Sequence, residues 1–195
     1  MTPVFSKPHR TDRYMEKKTI ALGVTGSIAA YKAAEICSRL TKAGCDVHVI
    51  MTASATELIA PRTFLTLSRN PVVTDLWEAP EWKPEHIELA ERADILLVAP
   101  ATANFIAKHA RGIADDALTT YALAHDGPVL VAPAMNPRMW RHPATRENAE
   151  ILAGRGVEFV GPAIGDVACG ESGAGRMEEP ETIVERVLAA LGAER

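Results

Sequence analysis

The chain has 195 residues, 47% of them hydrophobic and 24% charged, with a formal net charge of −4. That is enough chain for one domain with a real core, and the composition is ordinary for a soluble protein. It excludes a broad basic surface for nucleic acid and any apolar run near the ~20 residues that span a bilayer, and the three cysteines fit neither a disulfide framework nor a zinc site. No metal, no membrane and a reducing cytoplasm are the expectations.

In chain order, residues 1–18 carry Lys7, Arg10, Arg13, Lys17 and Lys18 without a continuous apolar core. They read as a flexible N-terminal arm rather than a secretory signal. Thr19 to Val24 is a first strand. Ser27 to Ala43 places Ala29, Ala33, Ile36, Cys37 and Leu40 on one helical face, and Gly44 stops it. Asp46 to Met51 alternates as a second strand, Pro61 to Leu67 is a short helix, and Asn70 to Pro84 is an irregular connection. Glu85 to Arg92 is a short helix. Asp94 to Ala99, almost wholly apolar, is a central parallel strand. Two helices fall between Ala103 and Ala124. Val129 to Ala132 is the next strand, Pro143 to Ala153 a helix with proline in its first turn, and Val157 to Val160 a last short strand. Gly161 to Gly175, with five glycines, reads as a mobile loop, and Pro180 to Leu191 as a closing amphipathic helix. Strands alternating with helices predict one α/β domain over residues 19–195, a parallel sheet in three layers with helices on both faces.

Five segments and one histidine could carry chemistry. The first strand-to-helix turn, Gly23-Val24-Thr25-Gly26-Ser27-Ile28, offers free N–H groups to an anion, with Ser27 able to cap the helix or meet a phosphate. It is not the dinucleotide fingerprint, since Thr25 stands at the middle glycine. The second strand ends in hydroxyls, Thr52-Ala53-Ser54-Ala55-Thr56, instead of the acidic residue that holds a ribose diol. A mononucleotide therefore fits better than NAD. A plain structural turn is the other reading. After the third strand, Ala99-Pro100-Ala101-Thr102-Ala103-Asn104 lets a flat ring approach closely, with Thr102 and Asn104 at its edge; Thr102 would also serve as a helix cap.

The run Pro133-Ala134-Met135-Asn136-Pro137-Arg138-Met139-Trp140 follows a buried strand, at the end where open α/β sheets bind ligands. The Asn136 amide suits a carboxylate or carbonyl without adding charge, although an Asn turn after a strand-ending proline explains it as well. Cys169 lies in Ala168-Cys169-Gly170-Glu171-Ser172-Gly173-Ala174-Gly175-Arg176, where a mobile thiol could donate a proton. Cys37 and Cys45 read as packing residues. His86 is singled out by its place after Pro84, while the other five histidines read as ordinary surface or core residues.

Taken together, Gly26-Ser27-Ile28-Ala29, His86-Ile87-Glu88-Leu89, Ala99 to Asn104, Pro133 to Trp140 and Ala168-Cys169-Gly170 resemble the flavin-containing cysteine decarboxylases. The nearest branch acts on 4′-phosphopantothenoyl-cysteine in coenzyme A biosynthesis. The resemblance implies a Rossmann-like (flavodoxin-like) flavoprotein that binds FMN and assembles as trimers, or as assemblies of trimers such as dodecamers, with the site between subunits. It implies that Gly26, Ser27 and Ile28 meet the FMN phosphate end, that Thr52 and Ser54 supply hydroxyls, and that Thr102, Ala103, Asn104 and Phe105 line the flavin. His86 and Cys169 match the catalytic pair, and Asn136, with Ala134 and Met135 beside it, the substrate-carboxylate site.

The implied chemistry oxidises the substrate thiol to a thioaldehyde, so that a C=S group β to the carboxylate accepts the electrons released with CO₂. The enethiol is then reduced to 4′-phosphopantetheine. Peptidyl-cysteine decarboxylases of the family stop at the enethiol, and some relatives are non-catalytic flavin-binding regulators; the resemblance of the Ala168-Cys169-Gly170 loop favours the complete cycle over the first, and His86, Asn136 and Cys169 together argue against the second. Many family members are fused to a C-terminal synthetase, for which there is no room before Arg195. The chain is expected to be either a free-standing decarboxylase or one part of such a fusion.

Overall fold

The computed structural model describes residues 17–76, 89, 92–166 and 170–192. Their centre is a six-stranded parallel sheet ordered β3-β2-β1-β4-β5-β6. Its strands are β1 (Thr19–Val24), β2 (Asp46–Met51), β3 (Val72–Val73), β4 (Ile95–Ala101), β5 (Val129–Pro133) and β6 (Glu158–Phe159). The chain runs outward from β1 to β3, then returns to the other side of β1 with β4. This order reverses between β1 and β4, and the carboxyl ends of those two strands frame the crevice where such sheets bind ligands.

Period-two alternation sends side chains to both faces, and both faces are covered. Ile20, Leu22 and Val24 of β1 and Ile95, Leu97 and Ala99 of β4 share one buried cluster. It also holds apolar residues of α1 (Ala30–Lys42), Phe64 of α3 (Pro61–Ser68), and Ile183, Val184 and Val187 of α8 (Pro180–Gly192). Ala21, Leu96, Val98 and Val131 point the other way, into a second cluster. There they meet α4 (Ala103–Arg111), α5 (Ala117–Ala124) and α7 (Pro143–Gly154). Two short helices, α2 (Ala53–Thr56) and α6 (Pro137–Arg141), follow the carboxyl ends of β2 and β5. The expected three-layer α/β architecture is the one observed.

Three local expectations are corrected. The first helix begins at Ala30 rather than Ser27, because residues 27–29 form turns and the N-cap Ala29 has no side-chain cap. The stretch read as irregular contains β3, whose two valines pair with Val49 and Ile50. The glycine-rich stretch read as a mobile loop is instead an antiparallel hairpin, β7 (Ala163–Asp166) with β8 (Ser172–Arg176). Its glycines, alanine and serine give no hydrophobic alternation, so nothing in the sequence marks it as strand. Cys37 and Cys45 are both buried; burial pushes the Cys37 thiol up to about 11, in keeping with a packing role. Among the described residues, no helix is long and apolar enough to cross a membrane. Residues 1–16, most of the proposed arm, lie outside the described residues, as do His86 and Cys169.

Candidate functional site

A cleft of about 430 Å³ opens where β1, β2 and β4 end. Thr25 and Gly26 line it from the first turn, Thr52, Ala53 and Ser54 from the second, and Thr102, Ala103, Asn104 and Phe105 from the start of α4. Lys108 completes the α4 wall, Asp116 and Thr119 come from α5, and Met139 from α6. The sequence singled out nine cofactor positions, and seven of them line this one cleft. Ser27 and Ile28 are not among its lining residues. Ser27 Oγ instead accepts weakly from the Ala29 N–H at 3.4 Å, and Ile28 is 64% exposed.

The walls are held by main-chain and hydroxyl contacts. Thr25 is 1% exposed; its hydroxyl donates to the Pro100 carbonyl at 2.7 Å and accepts from the Thr102 N–H at 3.0 Å. The residue that breaks the dinucleotide fingerprint thus joins the ends of β1 and β4. Thr25→Val should cost about 1–3 kcal/mol of stability, because the buried Pro100 carbonyl and the half-buried Thr102 N–H both lose their partner. Urea unfolding measures this; an unchanged midpoint would show that the strand ends hold without the hydroxyl. Thr102 caps α4 by accepting from the Phe105 N–H and lines the cleft as well, so the two readings of it coexist.

At Gly26, an added Cβ would lie 2.4 Å from Ser54 Cβ and 3.2 Å from the Ser54 carbonyl carbon. The first two turns therefore touch main chain to main chain, and only glycine permits it. Asp116 and Thr119 form a reciprocal capping box at the start of α5. Lys108 Nζ sits 2.6 Å from Asp115 and 3.8 Å from Asp116, and its hydrogen bond holds the Asp115 carboxyl below the usual carboxylate range.

The Pro133–Trp140 run reaches the cleft through Met139; Ala134, Met135 and Asn136 are not among its lining residues. Trp140 is buried against Phe159, with the Arg146 guanidinium 5.3 Å from its ring centre, and so anchors α6. Asn136 is the N-cap of α6: its Oδ1 accepts from the Arg138 N–H at 2.7 Å, while Nδ2 donates to Glu171 of the hairpin at 3.2 Å. Ala134 is buried and its N–H donates to the Ala101 carbonyl at 3.0 Å. The Met135 N–H donates to the Gly175 carbonyl at 2.9 Å. A Cβ at Gly175 would lie 2.4 Å from the Met135 carbonyl oxygen, so the hairpin lies flush on the Asn136 segment. Arg176 pairs with Glu179, which also takes Lys32 at 3.0 Å.

Sequence reasoning passed over Lys108, Asp116, Thr119, Met139 and Glu171. Lys108 stands one helical turn after Asn104, and Asp116-x-x-Thr119 is a capping signature, so both were open to a finer reading. Near His86, Leu89 is buried; its carbonyl accepts from the Ala93 N–H at 2.9 Å and from the Tyr121 hydroxyl at 3.4 Å. Among the other histidines, His48 pairs with Asp46 at 2.9 Å, and Tyr121 stacks on His125.

Comparison with known proteins bears on this site. Residues 8–192 match the family described as Flavoprotein. The coenzyme A biosynthesis bifunctional protein CoaBC of Vibrio vulnificus is 50% identical over 168 residues, covering 86% of this chain and 42% of that protein. CoaBC of Bacillus subtilis is 48% identical over 174 residues, covering 88% and 42%. The chain thus spans about two fifths of the length of these curated relatives. Among solved structures, a mutant PPC decarboxylase complexed with pantothenoylaminoethenethiol superposes with a TM-score of 0.83 at 31% identity, covering 91% of this chain and all of that one. The FMN-dependent cysteine decarboxylase SpaF superposes at 0.76 with 32% identity, covering 90% and 98%.

Proposed function

This chain belongs to the flavoprotein family, and from that premise we propose that it binds FMN and decarboxylates 4′-phosphopantothenoyl-cysteine to 4′-phosphopantetheine in coenzyme A biosynthesis. The observation that carries the reading is the cleft at the sheet's switch point, lined by Thr25, Thr52, Ser54, Thr102 and Asn104, with Met139 of the helix that Asn136 caps also in its wall. Its size lies within the range of about 300–1,000 Å³ typical of small-molecule sites. Hydroxyls and glycine at the ends of β1 and β2, in place of a diol-binding carboxylate, suit a phosphate. Small residues before buried Phe105 suit a flat ring. The CoaBC relatives and the PPC decarboxylase fold support the substrate.

Bound FMN would supply a hydride acceptor for thiol oxidation and return that hydride later. The chain's own residues position and move protons. Asn136, its amide fixed by capping α6, would hold the substrate carboxylate beside Ala134 and Met135 without adding charge. His86 would take the thiol proton, since an imidazole titrates near working pH. Loss of CO₂ leaves the enethiol, and Cys169 would give the proton that accompanies its reduction. Roles for Gly26, Ser54, Thr102, Ala103, Asn104 and Phe105 as the FMN cradle rest on their shared cleft; Ser27 and Ile28 would act from outside it.

We assign a homo-oligomer built from trimers. Ile28 and Tyr31, each 64% exposed and adjacent to the Gly26 turn, support a neighbouring copy covering that edge. The unpaired Cys37 and Cys45 support a cytoplasmic home.

Anaerobic turnover of 4′-phosphopantothenoyl-cysteine tests the proposal, with absorbance and product mass recorded together. A yellow protein yielding 4′-phosphopantetheine is the expected result. Release of the enethiol alone would place the chain with the peptidyl-cysteine decarboxylases. Full flavin occupancy with no turnover would make it a binding regulator.

A further inference from the structure

Asn136 uses the two ends of one amide differently. Oδ1 caps α6 through the Arg138 N–H at 2.7 Å, so the amide cannot flip without losing the cap, and Nδ2 is presented as a donor. A carboxylate already lies on that donor. Glu171 Oε2 accepts from Nδ2 at 3.2 Å, and Glu171 Oε1 pairs with the Arg138 guanidinium at 2.7 Å. The hairpin that carries Glu171 is registered on the same segment through Met135 and Gly175.

We propose that Glu171 is an internal stand-in for the substrate carboxylate, displaced from Asn136 when substrate binds. The inference rests on the reading of Asn136 as the substrate-carboxylate ligand. Two anions within hydrogen-bond reach of one nitrogen repel each other, so substrate and Glu171 exclude one another there. The exchange is close to balanced in bonds made and lost, because one carboxylate replaces another. Glu171 is 31% exposed and Arg138 78%, so the released pair re-enters water readily. The decarboxylated product has no group to hold Glu171 off. Glu171 then returns to Asn136, so its competition lowers affinity for the carboxylate-bearing substrate and leaves that for the decarboxylated product unchanged.

The test uses FMN-loaded protein and two unreactive ligands, 4′-phosphopantothenoyl-serine and its decarboxylated counterpart 4′-phosphopantothenoyl-ethanolamine. Their hydroxyl replaces the oxidisable thiol, so calorimetry reads affinity without turnover. Glu171→Gln should bind the serine ligand about tenfold more tightly, the low end for one hydrogen bond to a charged group. The ethanolamine ligand should change by less than about twofold, which also reports that the variant is folded. Unchanged or weaker binding of the serine ligand would overturn the inference. Asn136→Ser keeps a capping hydroxyl while removing the amide donor, and should weaken the serine ligand alone. If Asn136→Ser binds both ligands like the wild type, the Asn136 reading itself fails. If it weakens the serine ligand while Glu171→Gln gains nothing, only the role of Glu171 fails.

Discussion

Replacing Gly26 with alanine should weaken FMN binding by about tenfold to a hundredfold while leaving the sheet folded. The new Cβ would lie 2.4 Å from Ser54 Cβ and 3.3 Å from the Ser54 carbonyl oxygen. Those atoms belong to the main chain and the first side-chain carbon, so no rotamer change relieves the clash. The first and second turns must part by about an ångström, and both line the cleft. The core beneath them is unaffected, because Ile20, Leu22, Val47 and Val49 are fully buried below the turns. Titrating FMN fluorescence into flavin-free protein measures the loss. Gly154→Ala is the matched control: nothing lies within 4 Å of its Cβ position at the end of α7, and it should bind FMN like the wild type. A Gly26→Ala protein with wild-type FMN affinity would remove this turn from the cofactor site.

The core strands were legible because their alternation is forced by two covered faces. Ile20, Leu22 and Val24 pack on one side and Ala21 on the other, and the sequence carries that pattern openly. The sheet edge was not legible, since β3 is two valines beside a proline. The hairpin was hidden for a different reason. Its small residues are selected by the close approach of Gly175 to Met135 and of Gly173 to Pro137, not by burial of apolar side chains. The turn after β1 drew attention to Gly26, Ser27 and Ile28 together, yet only Gly26 lines the cleft, because the chain turns twice before α1 begins. Asn136 was read either as a turn residue or as a ligand. The structure gives its oxygen to the cap and its nitrogen to Glu171, a partition that no spacing of residues could reveal.

His86→Asn should lower turnover by about 10²–10⁴ with FMN still bound, the range lost when a positioned general base is removed. Asparagine keeps a polar side chain of similar size but cannot accept a proton at working pH. The described lining of the cleft comes from the three strand ends and from α4, α5 and α6, which supports retention of the flavin. The anchors that follow the substituted position in the chain also remain. Leu89 is buried with its carbonyl held by Tyr121, and Arg92 reaches His48 at 2.9 Å. The wild-type rate should rise with pH as the imidazole loses its proton, since in this reading the neutral form is the base. The residual rate of the variant should lack that limb, which a purely structural effect would not remove. Stopped-flow flavin reduction under anaerobic conditions, repeated across pH, reads both quantities at once. Flavin reduction within tenfold of the wild type, with the same pH limb, would assign the thiol proton to another group.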